Sequence, residues 1–209
     1  AIAAYVLDVK SQLPQRHLLG IAIASPGFID PDSGDIILIG RVPHWHNFPI
    51  CSRLSTQLGL PVRIANDIDS MAIVEFQRGG VSFNQNLIYM GFDEGVKASL
   101  FLNNELYKGA LGNAGLISSN LLSVDTDDDK QAVMSIHGVN ALVEQRVERL
   151  TPEEKAPYLP IMSIPDPRER FEQILQSAYE ARPVCRAVVD LMNRTLTAAA
   201  ANLIFIIQP

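Results

Sequence analysis

Pro61-Val62-Arg63-Ile64-Ala65-Asn66-Asp67, followed at once by Ile68-Asp69-Ser70-Met71-Ala72-Ile73-Val74, constrains the fold of this chain more than any other stretch. The first half reads as a short buried strand that delivers an Asn-Asp pair to its C-terminal end, and an apolar helix takes over from there. A strand that passes directly into a helix belongs in a sheet with helices packed on it. In open sheets of that kind, ligands bind beyond the carboxyl ends of the strands. A carboxylate held there beside an amide can accept a proton from a hydroxyl and grip its neighbour. Asp67 equally suits the N-cap of the helix, where its side chain would satisfy free backbone N–H groups. Both readings stand on the sequence alone.

The alternation continues on either side. Apolar residues at helical spacing (Ile2, Val6, Leu7, Val9) predict a helix over residues 1–12, stopped at Pro14. Residues 18–25 form an apolar run too short for a helix, so they predict a buried strand, broken by Pro26-Gly27 and followed by the turn cluster Asp30-Pro31-Asp32-Ser33-Gly34. Residues 36–39 predict a second strand, 50–58 a helix ended by Gly59, and 61–65 the next strand. Beyond Arg78-Gly79-Gly80, residues 86–90 and 96–102 are strand-like, and Asn103-Asn104 sits where a hairpin turn would be. A glycine-rich stretch over 109–115 follows. The remainder reads as helical over roughly 131–149, 167–181 and 183–207, punctuated by Pro165, Pro167 and Pro183.

The predicted class is α/β with two lobes, 1–79 and 80–209, divided near Gly79-Gly80. The opening helix has no strand before it, and Gln208-Pro209 ends a very apolar helix after which another strand would be expected. The sheet is therefore expected to be incomplete on both sides, as in an excised part of a longer protein.

Hydrophobic residues make up 47% of the chain and charged ones 19%, which suffices for a sizeable core or two. No apolar run approaches the ~18 residues of a membrane span, and the N-terminus lacks the basic start of a signal peptide. Cys51 and Cys185 are isolated, with no disulfide framework, which fits a reducing, cytoplasmic setting. The net charge of −6 argues against a large nucleic-acid surface on this chain itself.

Four blocks carry a resemblance. They are Gly20-Ile21-Ala22-Ile23-Ala24-Ser25-Pro26-Gly27-Phe28-Ile29-Asp30; Val42-Pro43-His44-Trp45 with Phe48-Pro49-Ile50; Leu58-Gly59-Leu60-Pro61-Val62 with Asn66-Asp67; and Leu106-Tyr107-Lys108-Gly109-Ala110 with Gly112 and Gly115. In this order and spacing they resemble the ROK family (repressor, open reading frame, kinase). The resemblance implies the actin-like ATPase or sugar-kinase fold, which is ribonuclease H-like. It extends along the whole chain but omits the family's first phosphate-binding hairpin and its closing strand and helices. Family members are cytoplasmic sugar kinases or transcriptional regulators with a winged helix–turn–helix ahead of this domain.

The departures favour a regulator. The resemblance places the kinases' second phosphate loop, GTGIGGG, on Asp93-Glu94-Gly95-Val96-Lys97-Ala98-Ser99. Such loops need glycine because a side chain would hold phosphate away from the backbone donors. Two carboxylates there would repel a polyphosphate, by about 1 kcal/mol per like-charge pair at ~4 Å in water and several times that near a protein surface. No ATP site is expected. The family's sugar-binding E-x-G-H falls on Leu116-Ile117-Ser118-Ser119, which leaves Ser119 as the remaining contact. Its zinc knuckle falls on residues 124–130, which hold no cysteine, so neither zinc nor any other cofactor is expected. The Asn of the NLPxW loop is replaced by Arg41.

Residues 125–129 lack the Gly and Glu of a calcium loop and read as solvated. Trp45 reads as a pocket wall, and His44 and His46 as surface groups. The resemblance implies Gly27, Asn66, Asp67 and Ser119 as sugar contacts and no catalytic residue, with Asp67 at the general-base position if the chain were a kinase. The expected role is the sugar-sensing, dimerising effector domain of a ROK-type repressor or other regulator, catalytically inactive. Its ligand would be a sugar or sugar phosphate, its oligomer a homodimer, and DNA would be read only by a separate N-terminal helix–turn–helix outside this chain. A sugar kinase with a degenerate ATP loop and an assembly-only domain without ligand are the alternatives.

Overall fold

The parallel pairing of two strands brings the Asn-Asp segment into register with the Pro-Gly turn. In this computed structural model, which describes residues 1–39, 42, 45–78, 86–117 and 133–209, β1 (Ile21–Ser25) runs parallel to β5 (Val62–Asn66). Ser25 lies opposite Asn66. Residues 18–20 were expected in the strand but are outside it. The ladder begins where the Ile21 N–H donates to the Pro61 carbonyl at 2.9 Å, and β5 offers no earlier partner. Leu19 is accordingly 88% exposed.

The described chain divides into two compact units, Ala1–Leu87 with Ser99–Ala114, and Ile88–Ala98 with Gly115–Pro209. The expected boundary at Gly79-Gly80 lies outside the described residues. In the first unit, α1 (Ile2–Gln12) and α2 (Ile50–Leu58) match the sequence pattern, and α2 ends at Gly59 in the left-handed conformation at φ 65°. Positive φ is cheap only without a Cβ. β2 (Phe28–Ile29), β3 (Ile36–Leu38) and β4 (His46–Phe48) form an antiparallel sheet. The two short outer strands were not read from the sequence, because their state follows from pairing to β3 rather than from their own pattern. Ile36, Ile39, Ile50, Cys51, Leu54 and Val62 form this unit's core. α3 (Asp67–Arg78) follows β5 without an intervening loop.

β6 (Leu87–Phe92) and β7 (Val96–Leu102) flank the turn Asp93–Gly95, in which the Asp93 N–H donates to Gly95 O at 3.0 Å. From Ser99 onward β7 belongs to the first unit, where it pairs antiparallel with β8 (Glu105–Tyr107). Asn103 and Asn104 turn this hairpin with φ 53° and 69°, as the Asn-Asn pair predicted.

The α-helices among the described residues of the second unit are α4 (Ile136–Glu148), α5 (Pro152–Lys155), α6 (Leu159–Met162), α7 (Pro167–Tyr179) and α8 (Pro183–Ile207). Their core includes Val139, Val143, Ile174, Cys185 and Val188. α4 begins later than its pattern suggested, at a cap where the Gly138 N–H donates to Ser135 Oγ at 3.0 Å. α7 stops two residues early because Ala181 takes φ 63°. α5 and α6 were not read from the sequence. Thr151 and Glu154 form a capping box that starts α5 with Pro152 in its first turn. Among the described residues no helix is long and apolar enough to cross a membrane.

Candidate functional site

Asn66 ends β5, and its side chain serves the helix that follows. Its Oδ1 accepts the backbone N–H of Ile68 at 3.0 Å and of Asp69 at 3.3 Å, while its Nδ2 donates to the Gly27 carbonyl at 3.3 Å. The amide therefore ties the first turn of α3 to the turn after β1. Gly27 can make that turn because it sits at φ 94°, and a Cβ there would run into the Leu38 carbonyl and the Ile39 side chain. The structure thus brings two of the sequence-derived sugar contacts, Gly27 and Asn66, into direct contact.

Asp67 is the first residue of α3 and half-buried. Its Oδ1 shares the Ile68 N–H at 2.9 Å, and among the described residues its Oδ2 accepts no hydrogen bond. Capping, which the sequence assigned to Asp67 as one of two readings, falls mainly to Asn66. One carboxylate oxygen of Asp67 is left for another partner. Ser119, Arg41, Pro43, His44 and residues 125–129 lie outside the described residues.

Sequence reasoning missed Asp69. It is 7% exposed, and its Oδ1 accepts a hydrogen bond from Ser99 Oγ at 2.5 Å. The signal was available: Asp69, Ala72, Ile73 and Phe76 recur at i, i+3, i+4 and i+7, which puts the carboxylate on the apolar face of α3. Asp69 and Asn66 line a cavity of about 70 Å³ with Asp30, Lys108, Ile64 and Ile73. That is far below the roughly 300–1,000 Å³ of ordinary small-molecule pockets. Hydrogen bonds from Ser33 and then Asp32 hold the Asp30 carboxyl below the usual range. Trp45, read from sequence as a pocket wall, instead stacks on Phe48 at 5.2 Å and packs against the core of the first unit. His46 is exposed on β4.

In the second unit the acidic turn faces side chains of that same unit. Asp93 Oδ2 pairs with Arg168 at 2.6 Å, and the Asp93 carbonyl accepts the Ile136 N–H at 2.8 Å. Glu94 lies 3.8 Å from His137 Nε2. Among the described residues no group of three or more His, Cys, Asp or Glu side chains could hold a metal ion.

The profile described as ROK family matches residues 1–129. The xylose repressor of Caldicellulosiruptor bescii is 27% identical over 213 residues, covering 96% of this chain and 50% of the repressor. The beta-glucoside kinase of Klebsiella pneumoniae is 35% identical over 96 residues, covering 46% of this chain and 32% of the kinase. Among solved structures, a ROK family transcriptional regulator homologous to the Escherichia coli MLC protein superposes with a TM-score of 0.75 at 20% identity, covering 100% of this chain and 52% of that one. That likeness gives the fold, the mixed α/β fold of sugar kinases and actin-like ATPases. The chain spans about half the length of the curated repressors it matches.

Proposed function

The chain belongs to the ROK family, and on that premise we propose that it is the sugar-sensing, dimerising effector domain of a transcriptional regulator and does not phosphorylate sugar. The span of alignment carries this reading. The C. bescii repressor aligns with 96% of this chain, whereas the K. pneumoniae kinase aligns with 46%. The acidic turn supports it. The family resemblance puts nucleotide phosphates near Asp93 and Glu94, and Arg168, which could have met a phosphate, is paired with Asp93.

In this reading Gly27, Asn66, Asp67 and Ser119 contact a sugar or sugar phosphate. D-xylose is the first candidate, because relatives are named for it. The sugar would bias the domain between two states only as far as its affinities for them differ. A separate helix–turn–helix outside this chain would read DNA, and the homodimer would transmit the bias to it. Those last two steps, with a cytoplasmic location, rest on analogy within the family.

Calorimetric titration with D-xylose, D-glucose and MgATP tests the proposal. The expected result is a saturable isotherm with a sugar, none with MgATP, and no phosphoryl transfer in a coupled assay. Micromolar MgATP binding with turnover would replace this reading with a second one, a sugar kinase. There Asp67 would take the proton of the acceptor hydroxyl in line with the γ-phosphate. The uncommitted Oδ2 of Asp67 is the observation that favours that alternative. A dimer that binds no sugar would leave assembly as the role.

A further inference from the structure

We infer that Asp69 and Ser99 are positioning residues, whose buried hydrogen bond sets the Asn66 amide and thereby fixes which atoms the sugar-contacting edge offers. This rests on the sugar-sensing reading of Asn66 and Asp67. Asp69 is 7% exposed and Ser99 1% exposed. A carboxyl group withdrawn this far from water needs hydrogen-bond partners. The 2.5 Å separation from Ser99 Oγ is that of a short O–H···O hydrogen bond.

The bond acts at one end of α3. Seven residues along the same helix face, Phe76 stacks on Phe101 of β7 with ring centroids 4.4 Å apart. α3 is therefore fastened to β7 at two points two turns apart. The apolar contact holds the body of the helix, and the Asp69–Ser99 bond holds its first turn.

That first turn orients Asn66. Because the N–H groups of Ile68 and Asp69 both point at its Oδ1, the oxygen of the amide must face the helix. Nδ2 then faces the other way and donates to Gly27 O, and among the described residues its second N–H has no further acceptor. Asn66 thus offers a ligand a donor, and Asp67 beside it offers an acceptor, Oδ2. A donor next to an acceptor suits two adjacent hydroxyls, one accepting from Asn66 and the other donating to Asp67. Without the Ser99 hydroxyl this tie between the first turn of α3 and β7 is lost, the turn can shift, and the amide loses its fixed sense.

Ser99→Ala and Asp69→Asn test this, read by the side-chain amide resonances of Asn66 and by D-xylose titration. In Ser99→Ala the Asn66 side-chain resonances are expected to shift, and D-xylose affinity to fall by up to about tenfold, the effect of losing one hydrogen bond to the amide. Asp69→Asn keeps an oxygen for the Ser99 hydroxyl and should give smaller changes in both. Should Ser99→Ala fail to fold, Ser99→Cys, similar in size but a weak donor, supplies the same readings. Unchanged Asn66 resonances overturn the inference, even if the melting temperature falls. If the unaltered protein binds no sugar, the sensing reading fails by itself, and the Asn66 resonances still decide whether Ser99 positions the amide.

Discussion

Asn66 and Asp67 are neighbours with separable duties, and single substitutions should part them. Asn66→Ala removes the cap of α3 and is expected to cost about 1 kcal/mol of stability, measured by denaturant unfolding. Asp67→Ala leaves that cap in place. It should change stability little while weakening the sugar roughly tenfold or more, since a hydrogen bond to a charged group contributes about 1.5–3 kcal/mol. An Asp67→Ala protein that loses stability but keeps its sugar affinity would assign Asp67 to the helix alone. Cys185 makes a different point about residue environments. It is fully buried, and burial pushes its thiol up to about 11. At pH 8 only about one thiol in a thousand would be ionised, and the thiolate is the reactive form. Native protein should therefore leave Cys185 unmodified by iodoacetamide, with reaction appearing on denaturation.

At the scale of elements, short helices depend on their caps more than on their length. α5 has four residues, too few for intrinsic helicity to hold it. Its capping box has Glu154 Oε2 accepting from the Thr151 N–H and hydroxyl, each at 3.0 Å. These bonds, the backbone one first, lower the Glu154 carboxyl below its ordinary value of 4.5. A depressed carboxyl stabilises the fold above its unfolded value and loses that contribution as pH falls through the folded one. Glu154→Gln should therefore flatten part of the acid limb of a stability-against-pH curve below about pH 4.5. The long helices rely on packing instead. Ile174 on α7 is 0% exposed in the core of the second unit. Ile174→Ala should cost about 2–5 kcal/mol, seen as a lowered melting temperature.

For the whole molecule, each unit has its own apolar core, one built on α2, β3 and β5 and the other on α4, α7 and α8. A ligand at Asn66 and Asp67 contacts the first of them. D-xylose at about one hundred times its dissociation constant should raise stability by about 2.7 kcal/mol. Hydrogen exchange should slow in α3 and at the end of β5. MgATP at millimolar concentration should leave the melting curve where it is, and a shift comparable to that of the sugar would count against the regulator reading.

The sequence alone determined whatever depends on neighbours along the chain. The Val62–Asn66 strand passing into α3, the Asn103-Asn104 turn, α2 ending at Gly59 and the proline-led α7 and α8 all follow from local pattern. So did the family, through motifs set at fixed spacing. What the tertiary structure alone decided depends on partners distant in sequence. β2 and β4 exist because β3 pairs with them, and Leu18–Gly20 fall out of β1 because β5 offers them no partner. The division of labour between Asn66 and Asp67 depends on where two N–H groups and one carbonyl point. Asp69 matters because Ser99 is 30 residues away in sequence and 2.5 Å away in space. Periodicity could place that carboxylate on a buried face, but only the fold could bring the Ser99 hydroxyl to it as a hydrogen-bond donor.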